Sequence, residues 1–217
     1  MRKVFLLGLS LFMSISAVAE PVKLMVLGDS LSVGHHLDSS DSFCSQLERA
    51  LVKKGYQVQV LNYSKSGETT AGGLAKVKDT LFRNPDAVLL QLGSNDAFQG
   101  VPLETTTTNL QSLISFFQKK GLPVLLIGME APVGMPQEYR DGFRKMYVDL
   151  ATENELLLYP FFMNGLWNED GTQKSNDYFL GDGIHPSSKG VQVMVRHILP
   201  AVEQFIAEDV ADVVVKK

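Results

Sequence analysis

The sequence predicts an α/β fold in which a parallel sheet is covered by helices on both faces, and three observations carry that prediction. From Val22 onward, short β-rich runs alternate with longer segments of helical period, the pattern of successive βαβ units. The balance of the 217 residues, 45% hydrophobic and 20% charged with mean hydropathy +0.03, suits one compact domain with a sizeable core. No internal repeat, low-complexity tract or linker divides the chain after residue 19, so 20–217 reads as a single domain.

The elements come in order along the chain. Strands are expected at Lys23 to Gly28, Gln57 to Tyr63, Asp86 to Gly93, Pro123 to Met129 and Leu156 to Tyr159. Between them, Ser42 to Lys54 reads as a helix closed by Gly55. Thr70 to Arg83 reads as a helix with Leu74, Val77 and Leu81 on one face. Leu103 to Lys120 carries Leu110, Leu113, Ile114 and Phe117 at i, i+3, i+4 and i+7 before Gly121. Tyr139 to Thr152 and Ser187 to Ala207 complete the helices, and no structure is expected after Asp209.

Residues 1–19 have the form of an export signal. Arg2 and Lys3 precede an apolar run, and Ala17-Val18-Ala19 supplies a cleavage pattern ahead of Glu20. The stretch Val4 to Ala19 is shorter than the ~20 apolar residues of a membrane span. A periplasmic or secreted protein without a stable membrane anchor is therefore expected. Arg2 and Lys3 are the only charges in that segment, so its removal takes the net charge from −4 to −6. Such a balance does not fit a nucleic-acid backbone. The single Cys44 excludes an intrachain disulfide and a cysteine-rich zinc cluster; on a helix beside Phe43 and Leu47 it reads as core filler. No metal or cofactor motif is present: the chain lacks H-E-x-x-H and G-x-G-x-x-G.

In open parallel sheets, ligands sit at the carboxyl ends of the strands, where strand order reverses. The first three strands end in Gly28-Asp29-Ser30-Leu31-Ser32, in Asn62 to Glu68, and in Leu92-Gly93-Ser94-Asn95-Asp96. A fourth polar cluster, Asp182 to Pro186, precedes the last helix. A serine hydroxyl needs a base and a group that orients the base. Ser30 is the candidate nucleophile, His185 the base, and Asp182, three residues earlier, the orienter. The Ser30 amide, the Gly67 amide and the Asn95 side chain are candidate oxyanion donors. Each piece also has a structural reading: Asp29-Ser30 as a helix cap, Gly67 and Asn95-Asp96 as turns, Asp182 and His185 as loop hydrogen bonding. Their placement at successive strand ends favours chemistry. His35 and His36 read as cleft-rim or surface residues, and His197 as a residue on a helix surface.

Taken in order, GDSLS, the Gly67 segment, G-S-N-D and D-x-x-H resemble the four sequence blocks of the SGNH hydrolases, the GDSL esterase/lipase family. The segments Leu158 to Trp167 and Asp182 to Gly190 are similar to its bacterial periplasmic thioesterase, lysophospholipase and arylesterase subgroup. Ser94 departs from the glycine common at that place in the third block. The resemblance implies a three-layer α/β/α sandwich, flavodoxin-like in strand order, and a cofactor-independent hydrolase of esters, thioesters or lysophospholipids. It implies Ser30, Asp182 and His185 as triad, and Ser30, Gly67 and Asn95 as oxyanion hole. It also implies a mobile loop from Asp96 to Leu103 closing over the acyl chain. Apolar residues after the fourth strand, Met129, Ala131, Pro132 and Met135, are candidates to line that chain, and a monomer is expected. Two other readings stay open: a carbohydrate O-acetylesterase of the same fold, and a non-enzymatic flavodoxin-like binder that holds a phosphate on the first loop.

Overall fold

Five parallel strands form one sheet in the computed structural model, which describes residues 20–168 and 171–211. They are β1 (Val22–Gly28), β2 (Val58–Asn62), β3 (Ala87–Gln91), β4 (Val124–Ile127) and β5 (Leu158–Tyr159), in the order β2-β1-β3-β4-β5. The chain leaves β1 for β2 at one edge, then returns across β1 to β3. Strand order therefore reverses between β1 and β3, where Gly28 is in register with Gln91. In open parallel sheets, such a switch point at the carboxyl ends of two adjacent strands is where ligands bind.

Strands buried on both faces must be apolar on both, and these are. Leu24, Met25 and Val26 of β1 and Val88, Leu89 and Leu90 of β3 have no exposed surface. Helices α2 (Phe43–Lys53) and α7 (Ser188–Phe205) pack together, while α5 (Leu103–Lys119) contacts both α3 (Thr70–Ala75) and α6 (Gln137–Glu153). The hydroxyls of Ser42, Thr69 and Ser187 cap α2, α3 and α7 by accepting the amides of Ser45, Gly72 and Gly190. Phe43 meets Phe162 edge to face at 4.7 Å, joining α2 to the loop after β5.

All five expected strands and the expected helices are present, with three differences. Two short helices, α1 (Ser30–Val33) and α4 (Ser94–Phe98), start at the ends of β1 and β3, where only turns or caps were expected. Thr70 to Arg83 is not one helix: α3 stops at Ala75 and a 3₁₀ segment, Val77–Arg83, comes after it. The paired glycines Gly72 and Gly73 weaken the first half, and the Lys76 ammonium turns back to pair with buried Glu68. At the other end of the chain, α7 continues as a π-helical turn, Ile206–Val210, whose Val210 is fully buried, so order extends past Asp209. The expected export signal, 1–19, lies outside the described residues, as does the tail from 212. Among the described residues no helix is long and apolar enough to cross a membrane.

Candidate active site

β1 delivers Ser30 to the switch point, and the residues around it hold it there. Asp29 is the N-cap of α1 and accepts the Leu31 amide at 3.0 Å. Gln91, at the end of β3, grips the same turn from the neighbouring strand. Its Oε1 accepts the Asp29 amide at 3.3 Å and the Ser32 hydroxyl at 2.7 Å, and its Nε2 donates to Asp29 Oδ2 at 3.2 Å. Gly34 closes α1 at φ +80°, and the amides of Gly34 and His35 both donate to the Ser30 carbonyl. The Ser30 backbone is thus tied to the end of α1, and the turn that bears it to the adjacent strand β3.

The loop before α7 carries the other two candidates. It is braced on both sides: Leu180 donates to the His185 carbonyl at 2.8 Å, and Gln173 Nε2 to the Gly183 carbonyl at 2.7 Å. Within it, Asp182 Oδ1 accepts the Ile184 and His185 amides at 2.8 and 3.0 Å, and Oδ2 lies 2.7 Å from His185 Nδ1. An ionised carboxylate only accepts, so Nδ1 carries the proton and Nε2 is the acceptor. Ser30 Oγ lies 2.9 Å from that Nε2, across 155 residues of sequence. Desolvation raises the Asp182 pKa, but the hydrogen bonds from the His185 ring and the two amides outweigh it. They hold the carboxyl well below the usual carboxylate range.

The three donor candidates stand on three segments. Ser30 is the first residue of α1, where backbone N–H groups have no intrahelical partner. Gly67 has φ +76°, and a Cβ there would meet nothing within 4 Å, so the side of the turn that a side chain would cover is open. Asn95 lies in α4, and its Nδ2 donates to the Glu68 carbonyl at 2.8 Å. An amide nitrogen carries two hydrogens, so one fixes the group to the Gly67 turn and one remains for a ligand. Asp96 is structural: it is buried and accepts both the amide and the hydroxyl of Thr70, tying α4 to α3.

The remaining candidates divide. Met129 and Ala131 are packed in the core, only 5% and 4% exposed, which disfavours them as an open acyl wall; Pro132 and Met135 are half-buried. The loop expected to move, Asp96 to Leu103, is held in this conformation by the Tyr139 hydroxyl, which donates to the Val101 carbonyl at 2.9 Å. His36 is exposed and His35 half-buried at the rim, with the His35 ring 4.6 Å from that of His185. His197 is exposed on α7. Cys44 is buried, and that burial pushes its thiol up to about 12, which leaves it inert. Sequence reasoning missed Gln91. The signal was present: it is the one polar residue in the β3 run Ala87–Gln91.

Residues 26–193 match the model of the GDSL-like lipase/acylhydrolase family. The chain is 35% identical to an arylesterase of Vibrio mimicus over 213 residues, covering 97% of this chain and 98% of that protein. It is 30% identical to the thioesterase 1/protease 1/lysophospholipase L1 of Escherichia coli K12, covering 80% and 85% of the two chains. The crystal structure of TesA superposes with a TM-score of 0.77 at 31% identity, over 84% of this chain and 98% of that one. The matched region runs from β1 into α7 and so includes each of the four polar clusters: the chain belongs to the GDSL-like lipase/acylhydrolase family and is a carboxylic ester hydrolase.

Proposed function

We propose that the enzyme hydrolyses carboxylic esters and thioesters through an acyl intermediate on Ser30. The observation that carries this reading is the continuous hydrogen-bonded chain from Asp182 through both nitrogens of His185 to Ser30 Oγ. As Oγ bonds to the acyl carbon, His185 Nε2 takes its proton and the carbonyl electron pair moves onto oxygen. Collapse expels the alcohol or thiol, which receives the proton from Nε2. Water then adds to the acyl-enzyme, gives a proton to Nε2, and the acid leaves as Ser30 regains its hydrogen. Asp182 stays ionised and steadies the imidazolium. The Ser30 and Gly67 amides and the second Asn95 hydrogen are the donors assigned to the oxyanion.

Substrate class has two supports. The named relatives include an arylesterase and a thioesterase/lysophospholipase. The leader-like segment 1–19 points to export, away from cytosolic acyl-CoA, which favours lysophospholipids and short aryl or acyl esters. The acyl chain is assigned to the β4 loop, along the surface that the half-buried Pro132 and Met135 leave open. A fluorophosphonate probe should label Ser30, and Ser30→Ala should lose labelling and ester turnover together. Labelling that persists in Ser30→Ala, or a wild-type protein that is not labelled, overturns the assignment. Turnover of p-nitrophenyl esters from acetyl to palmitoyl, a lysophospholipid and an acyl-CoA then ranks the substrates.

A further inference from the structure

His35 touches three parts of the site at once. Its amide donates to the Ser30 carbonyl at 3.2 Å, which fixes its backbone relative to the proposed nucleophile. Its Nδ1 shares a hydrogen bond of 3.0 Å with the hydroxyl of Ser66, the residue before Gly67. Its ring packs against His185, with centroids 4.6 Å apart and planes tilted by 47°, and His36 lies on it in turn at 3.9 Å. Among the described residues no group of three His, Cys, Asp or Glu side chains is arranged to hold a metal ion.

The need for such a neighbour arises from the bonds that His185 makes. Asp182 and Ser30 hold its two nitrogens, which fixes the line between them. Rotation of the ring about that line stretches neither bond much, so beyond the covalent tether at Cγ it is packing that resists it. We propose that His35 is a positioning residue for His185: anchored to Ser30 and Ser66, its ring is the wall that keeps the imidazole in plane with Ser30 Oγ. The inference rests on the proposed roles of Ser30 as nucleophile and His185 as base. The charge state suits the role. Desolvation lowers the His35 pKa from 6.5, as do the neighbouring His36 and His185, while Asp182 opposes. At neutral pH His35 is then uncharged and does not repel the imidazolium that forms beside it.

The test compares kcat and KM for p-nitrophenyl butyrate among wild type, His35→Ala and His35→Phe, with active sites counted by fluorophosphonate titration. Loss of the wall in His35→Ala should lower kcat per active site about tenfold, with KM within about twofold of wild type. His35→Phe keeps a flat ring without the Ser66 bond and should recover kcat to within about threefold of wild type. A structural role alone would reduce the number of titratable sites and the melting temperature, and leave kcat per site unchanged. An unchanged kcat in His35→Ala overturns the proposal, and so does an equal loss in His35→Ala and His35→Phe. Failure of the probe to label wild-type Ser30 would instead sink the parent reading, so the two failures are told apart.

Discussion

Asp182 and His185 are joined twice, ring Nδ1–H to Oδ2 at 2.7 Å and backbone N–H to Oδ1 at 3.0 Å. One carboxylate therefore folds the loop and selects the tautomer. Asp182→Asn separates these tasks, since an amide retains an oxygen for the backbone donors but presents N–H to the ring. The imidazole then has no acceptor for its Nδ1 proton, and kcat should fall about 10⁴-fold. The melting temperature at neutral pH should change little, because the side chain is 40% exposed and water screens its pairing with His185. The pH dependence has a definite sign. A folded-state pKa depressed below the unfolded value gives a contribution present above 3.8 and lost as pH falls through the lower folded value. A kcat within tenfold of wild type would take Asp182 out of the chain.

Asn95 is aimed by Glu68. The Glu68 carbonyl accepts one amide hydrogen at 2.8 Å, and the carbonyl is held by a turn in which the Glu68 amide donates to Lys65. Asn95→Ala removes a proposed oxyanion donor and leaves the Glu68 carbonyl without this partner. We expect kcat to fall about 10²- to 10³-fold, about 2.7–4 kcal/mol in the barrier. KM should stay near wild type, since the donor acts on the oxyanion more than on the ground-state ester. An unchanged kcat in steady-state assays would exclude Asn95 from the oxyanion site.

Gly67 and Gly34 should respond differently to the same change. Both have positive φ, +76° and +80°. A Cβ on Gly67 meets open space, so Gly67→Ala carries only the left-handed backbone cost of about 1–2 kcal/mol, and the protein should fold with reduced kcat. A Cβ on Gly34 lies 2.8 Å from Ser42 Cβ and 2.9 Å from its Cα, so Gly34→Ala adds a clash with the α2 cap. Urea denaturation should show the larger loss for Gly34→Ala. The reverse order would mean that the Ser42 turn yields readily.

The strands are legible in the sequence because a sheet covered on both faces needs apolar runs bounded by turn residues, and the five runs carry that mark without help from tertiary contacts. Four of the five read too long, as with the expected strand Asp86 to Gly93 where β3 spans Ala87–Gln91, while β1 starts one residue before the expected Lys23. The short helices α1 and α4 have four and five residues, too few for a 3.6-residue period to show. The polar clusters at the strand ends are legible because βαβ topology sends successive strand ends to the same edge. The groups that pack beneath and beside them are not. Gln91 stands out as the polar residue of its strand, but its grip on the Asp29 turn depends on a register, Gly28 opposite Gln91, that no local pattern specifies. His35 is visible as a rim histidine, but its contact with His185 depends on how a distant loop returns to α1.

Asp29 supplies a test of the buried turn itself. It has no exposed surface, and desolvation raises its pKa from 3.8 against the opposing hydrogen bonds of the Leu31 amide and Gln91. When the folded pKa exceeds the unfolded one, the folded chain holds the proton more tightly between the two values. Stability therefore falls as pH rises through that window, which starts at 3.8 and ends at the higher folded value. Asp29→Asn cannot ionise, and it retains a capping oxygen for Leu31. Its amide also meets the Gln91 amide, which sets a constant offset in stability but no slope with pH. The difference between wild type and Asp29→Asn in unfolding free energy, from urea titrations at about pH 3 to about pH 7, should therefore move against wild type within that window and stay level above it. A difference that is flat or moves in wild type's favour would mean that Gln91 and the Leu31 amide fully compensate the buried charge.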